Sequence, residues 1–220
     1  MRTLELHRSV TESNDRDAEC LRQELKEQGV LLINLMSAAG SGKTTLLSGL
    51  IKDLKDQVKI AVLEADIDAS VDAERIEALG ARSIQVHTDG MCHMDAGMTR
   101  EGLMEMGLQD VDLAFLENIG NLICPAEYDT GASLNMMISS IPEGDDKPLK
   151  YPLMYQKSDA LVLSKIDTLP YFDFDLEKFK ERVLFLNPKI QIFPVSAKTG
   201  EGMKALESWL MDKYTIWKEA

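Results

Sequence analysis

The stretch VLLINLMSAAGSGKTTLLSGLIKDL, residues 30–54, decides how the chain is read. Residues 30–36 form an apolar run of strand length with β-branched members, as a buried strand requires. A loop of small residues follows and ends in Gly42-Lys43-Thr44. Beyond it Leu46, Leu47, Leu50, Ile51 and Leu54 recur at the spacing of one helical face. Strand, glycine-containing loop and helix together make the frame of a phosphate-binding loop. Backbone N–H groups of Gly40, Ser41, Gly42, Lys43, Thr44 and Thr45 and the helix N-terminus would face phosphate oxygens. Lys43 would add a point charge, and the Thr44 hydroxyl could ligate Mg²⁺. Ser37 stands where the consensus of this loop begins with Gly.

The remaining sequence agrees with a nucleotide-binding α/β domain. At 220 residues the chain is long enough for one domain with a substantial core, residues 1–29 being a helical extension packed on it. A formal net charge of -13 sets up a field that repels nucleic acid and anionic membrane, so neither is expected as a partner. No apolar run approaches the roughly 20 residues of a membrane span, and residues 1–28 are too polar for a signal peptide. Three cysteines, Cys20, Cys92 and Cys124, are too few and odd in number for a disulfide frame. A reducing, cytoplasmic location is expected.

Along the chain, residues 9–28 read as a helix packed on one edge of the domain, closed at Gly29. Strands are expected at 58–64, 83–87, 113–117, 134–141, 160–163 and 190–195. Helices are expected at 71–79, from the Asp95 cap to about 106, at 174–186 and at 204–217. The charged stretch 143–150 reads as a loop. Alternation of strands and helices predicts a mostly parallel seven-stranded sheet with helices on both faces; with the phosphate loop this resembles a P-loop NTPase of the SIMIBI GTPase class.

In such sheets ligands bind at the carboxyl ends of the strands, and the other motifs fall there. Ser164-Lys165-Ile166-Asp167 resembles the NKxD motif of GTPases, with Ser in place of Asn. The Asp167 carboxylate can accept from guanine N1–H and the N2 amine, which adenine lacks, while the stem of Lys165 lies against the base. Ser196-Ala197-Lys198 resembles the SAK motif, whose backbone meets the guanine oxygen. Glu117-Asn118-Ile119-Gly120 takes the place of DxxG, with Gly120 N–H available to the γ-phosphate. Asp66 is the expected Mg²⁺ ligand beside Thr44, with Glu64 and Asp68 as competitors. Glu117 could orient either the attacking water or the metal shell. Lys43, Glu117 and Asp66 are thus the catalytic candidates.

Cys92 and His93 are adjacent, and Cys124 lies just beyond Gly120 in the loop that γ-phosphate should move. Thiolate with imidazole suits Ni²⁺ or Zn²⁺ rather than Mg²⁺ or Ca²⁺. Two or three soft ligands fall short of a full shell, which a twofold dimer pooling ligands from both chains would complete. His87 is a candidate extra ligand.

The segments SAAGSGKTTLL, EADIDASVDAERI, CHMDA, ENIGNLICPAEYD, SKIDTLPYFDFD and SAKTGEGM together resemble the HypB family of hydrogenase nickel-insertion GTPases. CHMDA and ENIGNLICP are the specific pieces, because generic GTPases lack them. The resemblance implies a GTP-dependent homodimer holding Ni²⁺ or Zn²⁺ at its interface. It further implies a small nickel-binding partner of the HypA type and the [NiFe]-hydrogenase large subunit as acceptor. By match, Cys92, His93 and Cys124 become metal ligands. Lys43, Thr44, Asp66, Glu117, Gly120, Lys165 and Asp167 take nucleotide and Mg²⁺ roles. The N-terminal CxxCGC site and His-rich tail of some members are absent from this sequence. The rival readings are a urease-type nickel GTPase, a P-loop metabolite kinase and a GTP-binding scaffold without productive hydrolysis.

Overall fold

A computed structural model describes residues 6–66, 76–88 and 90–219, with the side chains of 6–11 and 66 left out. Asp68 and most of the helix expected at 71–79 lie outside the described residues. Seven strands form one sheet: β1 Leu31–Ser37, β2 Ile60–Asp66, β3 Arg82–His87, β4 Leu113–Gly120, β5 Leu134–Ser140, β6 Ala160–Ser164 and β7 Gln191–Pro194. Their order is β3-β2-β4-β1-β5-β6-β7, and every neighbouring pair is parallel. Among the described residues the bounded helices are α1 Leu6–Gln28, α2 Lys43–Leu54, α3 Ala96–Met106, α4 Cys124–Glu127, α5 Lys147–Lys150, α6 Pro152–Gln156, α7 Leu176–Leu186 and α8 Met203–Glu219.

The two faces of β1 show why the apolar run is continuous. Leu31, Ile33 and Leu35 pack with α2 and with Leu206 and Leu210 of α8. Leu32 turns to the opposite layer of Leu21, Leu25 and Leu103, and Met36 to that of Tyr155 and Phe179. A strand covered on both faces has no polar side to present, as parallel sheets require. The helices start where sequence places caps: Asp95 accepts from Met98 N–H at 2.8 Å and Asp175 from Lys178 N–H at 3.0 Å.

Three expectations need correction. Helix α1 lies over a sheet face rather than at an edge, because Ala18, Leu21 and Leu25 present an apolar stripe that is buried there. The charged stretch 143–150 is ordered: Ser140 and Glu143 form a reciprocal cap on a 3₁₀ turn at Ile141–Glu143, and α5 follows. Residues 118–120, read as loop, continue β4 to Gly120.

Candidate functional site

The phosphate loop connects β1 to α2 at the sheet's topological switch, where β4 and β5 flank β1. Gly42 precedes α2 with φ +103°, a left-handed conformation that glycine adopts without steric cost, and this turns the N-terminus of α2 outward. A cavity of about 470 Å³ opens there, lined by Gly40, Gly42, Lys43, Thr44 and Thr45 and closed by Glu64, Glu117 and Gly120. Ser37, the departure from consensus, has a use: its hydroxyl accepts from Lys43 Nζ at 3.0 Å and donates to Ala38 C=O at 2.7 Å. Gly120 abuts the loop so closely that a β-carbon on it would lie 2.8 Å from Ala39 Cα. The end of β4 and the phosphate loop are therefore in backbone contact.

Glu117 is nearly buried, and its Oε1 accepts from the Thr44 hydroxyl at 3.0 Å. Glu64 sits beside it in register on β2 and accepts from Ser83 Oγ at 3.2 Å. Hydroxyl and carboxylate oxygens facing a phosphate-sized cavity are the hard donor set that suits Mg²⁺, so Thr44 and Glu117 fit that ion. Of the two roles open to Glu117, the contact with Thr44 favours the metal shell. Asp66 ends β2 opposite His87, and its side chain lies outside the described residues.

A second cavity of about 290 Å³ shares Gly42, Thr45 and Lys165 with the first and is lined by Ser41, Ser164, Asp167, Ala197 and Lys198. Sequence reasoning gave Ser196 a backbone role toward the base. Its buried hydroxyl has a further role: it donates to Asp167 Oδ1 at 2.7 Å and accepts from Thr199 N–H at 3.2 Å, fixing the carboxylate. Ser164, in the usual Asn position, donates to Ser41 C=O at 2.7 Å. Lys165 donates to Gly40 C=O at 2.7 Å, so both residues tie the base loop to the phosphate loop.

The soft-ligand residues meet on the other side of Gly120. Cys92 Sγ lies 2.7 Å from Cys124 Sγ and 3.8 Å from His93 Nδ1, all three cysteines being free thiols. The contact with Cys124, then partial burial, hold the Cys92 thiol above its ordinary range. Burial lowers His93, against the pull of Asp95 and Glu127. The His93 ring stacks on Tyr128 with centroids 3.7 Å apart. Among the described residues no group of three or more His, Cys, Asp or Glu is arranged to hold an ion within one chain, and His87 stands exposed at the end of β3.

Two supports were missed from sequence. Asn14 of α1 donates to Asp129 C=O at 2.9 Å and accepts from Ala96 N–H at 3.0 Å, joining the segments that follow both cysteines. Inside the sheet, buried Asn118 donates to Asn34 Oδ1 and Asn34 donates to Asn135 Oδ1, each at 3.0 Å. Asn118 Oδ1 also accepts from Met94 N–H at 3.4 Å. A polar residue within an apolar strand was the available signal.

The sheet order, the phosphate loop and the base loop define a P-loop nucleotide-binding protein of the SIMIBI class. Residues 31–194 match the family model described as CobW/HypB/UreG, nucleotide-binding domain. The hydrogenase maturation factor HypB of Rhizobium leguminosarum bv. viciae is 42% identical over 209 residues, covering 95% of this chain and 70% of that protein. That of Escherichia coli strain K12 is 43% identical over 209 residues, covering 95% and 72%. The chain belongs to the CobW/HypB/UreG family, in its HypB branch. The crystal structure of HypB from Helicobacter pylori in complex with nickel superposes with TM-score 0.87 at 37% identity, covering 92% of this chain and 95% of that one. The signal recognition particle receptor FtsY from Elizabethkingia anophelis, with TM-score 0.56 at 12% identity over 87% of this chain and 72% of that one, shares the fold alone. No described helix is long and apolar enough to cross a membrane.

Proposed function

We propose that this chain is a GTP-hydrolysing nickel metallochaperone for [NiFe]-hydrogenase maturation, acting as one GTPase unit. One observation carries the reading: two thiols in contact, Cys92 and Cys124, stand directly beyond Gly120, the residue that closes the phosphate cavity. The relatives named as hydrogenase maturation factors, and the relative crystallised with nickel, support the same assignment.

In this reading GTP occupies both cavities, with its base toward Asp167, Ala197 and Lys198. Lys43 and the N–H groups of residues 40–45 hold the phosphates, and Gly120 N–H meets the γ-phosphate. Thr44, Glu117 and Asp66 would hold Mg²⁺, which would supply charge neutralisation for the phosphates. Water attacks the γ-phosphorus, the bond to the bridging oxygen breaks, and GDP and phosphate leave. Cys92, His93 and Cys124 carry nickel, or zinc in its place, as cargo at a twofold interface where two copies pool ligands. A small nickel-binding protein of the HypA type and the hydrogenase large subunit are the proposed partners, in the cytoplasm.

The test measures phosphate release with GTP and ATP. It also measures Ni²⁺ and Zn²⁺ affinity and molecular mass with GDP and with a non-hydrolysable GTP analogue, for wild type and Cys92→Ala. The reading expects hydrolysis of GTP only, dimerisation with the analogue, and metal affinity that differs between nucleotide states in wild type alone. Weak metal binding that is identical in every state would leave a GTPase without this cargo.

A further inference from the structure

We infer that Asn121 is the positioning residue through which the nucleotide state reaches both cysteine ligands. It follows Gly120 directly, and Gly120 is pressed against Ala39 of the phosphate loop. Any shift of that contact is delivered to Asn121 within one peptide unit. Its side chain then divides between the two thiol-bearing segments. The amide Nδ2 donates to Cys92 C=O at 3.4 Å, and Oδ1 accepts from Ile123 N–H at 2.9 Å. Ile123 is the residue before α4, whose first member is Cys124. The Asn121 N–H also donates to Ile119 C=O at 2.8 Å, so the turn after β4 is closed from both ends.

The bonds of Asn121 are of two kinds. The acceptor bond to Ile123 is a local Asx turn, which shapes the segment leading to Cys124. The donor bond to Cys92 crosses between segments that lie far apart in sequence, and it adds a polar link between the backbones of the two cysteines. With it, a displacement of Gly120 moves both thiols as a unit. Without it, the Cys124 segment can shift alone while Cys92 stays behind. The inference rests on the nickel-carrying reading of this site and names the residue that links it to nucleotide.

The experiment compares wild type, Asn121→Asp and Asn121→Ser. Asp keeps an acceptor for Ile123 N–H but lacks the amide donor to Cys92, and Ser is too short to reach Cys92. Ni²⁺ affinity is measured by competition with a chromophoric chelator, with GDP and with a non-hydrolysable GTP analogue, and thiolate-to-nickel absorption is recorded. Coupling between sites is commonly about 5- to 150-fold. Wild type is expected in that range and both variants within about twofold of unity, with the absorption band no longer responding to nucleotide. The raw affinity of Asn121→Asp is free to change with its added charge, because only the ratio between nucleotide states is read. Basal GTP hydrolysis without metal and the melting temperature with GDP serve as fold controls. If wild type shows no ratio, the nickel-carrying reading itself fails. If wild type shows one and folded Asn121→Asp keeps it, the donor bond to Cys92 carries no coupling and the inference is overturned.

Discussion

Replacement of Asp167 by Asn tests the guanine site. The substitution changes one oxygen to an NH₂ group and alters size little. Ser196 Oγ, which donates to Asp167 Oδ1 at 2.7 Å, can still donate to the amide oxygen, so the loop keeps its anchor. The variant loses a carboxylate that would accept from guanine N1–H and N2 together. Hydrogen bonds to a charged partner contribute about 1.5–3 kcal/mol each, so two amount to about 3–6 kcal/mol. At about 1.4 kcal/mol per decade, affinity for GDP should fall roughly 10²- to 10⁴-fold. Xanthine carries a carbonyl at C2 where guanine carries the amine, so the new amide donor should favour xanthosine diphosphate in the variant. Competition against a fluorescent guanine nucleotide, with GDP, ADP and xanthosine diphosphate, reads all of this in one plate. GDP binding by the folded variant within about threefold of wild type would refute the base-recognition argument, as would equal binding of ADP by wild type.

Gly120→Ala places a β-carbon 2.8 Å from Ala39 Cα and 2.9 Å from Ala39 N, where only backbone movement can make room. The variant should retain GDP within a few-fold yet lose affinity for the GTP analogue by about tenfold or more, since γ-phosphate contacts are most sensitive to that junction; isothermal titration with both nucleotides decides it. The Asp112 carboxylate accepts from Lys59 N–H at 2.9 Å and from the Tyr214 hydroxyl at 2.6 Å, tying α8 to the entrance of β4. Burial works to raise its pKa, but these hydrogen bonds with the charges of Lys218 and Lys59 outweigh it and hold the carboxyl below its ordinary 3.8. A depressed folded value means stability that is present above 3.8 and lost as pH falls through the lower folded value. Asp112→Asn should therefore melt below wild type at neutral pH, and the gap should close under strongly acid conditions. A constant gap in melting temperature across that range would remove Asp112 from the acid transition.

The nucleotide half of the protein was legible because its chemistry is local. A phosphate loop is a run of consecutive residues whose function follows from backbone N–H groups and a helix end, so 30–54 announced it. The strands followed because the central ones are apolar on both faces and bounded by turns; most observed limits differ from those expected by a residue or two, while β4 runs three residues further. What could not be read was how side chains of distant segments share work. Nothing in SAK alone assigns the Ser196 hydroxyl to Asp167, and nothing in SKID assigns Ser164 to the Ser41 carbonyl. The mistaken edge placement of α1 has the same origin. Periodicity shows which stripe is buried but not which layer receives it.

The metal half depends on tertiary placement almost entirely. Cys92 and Cys124 are separated by 32 positions, yet their sulfurs lie 2.7 Å apart because the strands before them, β3 and β4, both run parallel to β2 and flank it, so the segments that follow leave the same end of the sheet. Their residue types gave the chemistry, soft ligands for a borderline metal, without giving the distance. The geometry adds a second fact that types alone cannot carry. The thiols do not sit on a rigid strand: Cys92 lies in a loop and Cys124 opens the short helix α4, in segments held by Asn14, Asn118 and Asn121, three amides that each bond to their backbone. Amide hydrogen bonds are modest, about 1 kcal/mol each, and can exchange partners when Gly120 moves. A metal site built on a strand would bind equally in both nucleotide states. Ligands held on exchangeable connections beyond β3 and β4 can bind in one state and release in the other, which is the property a nucleotide-driven metal donor requires.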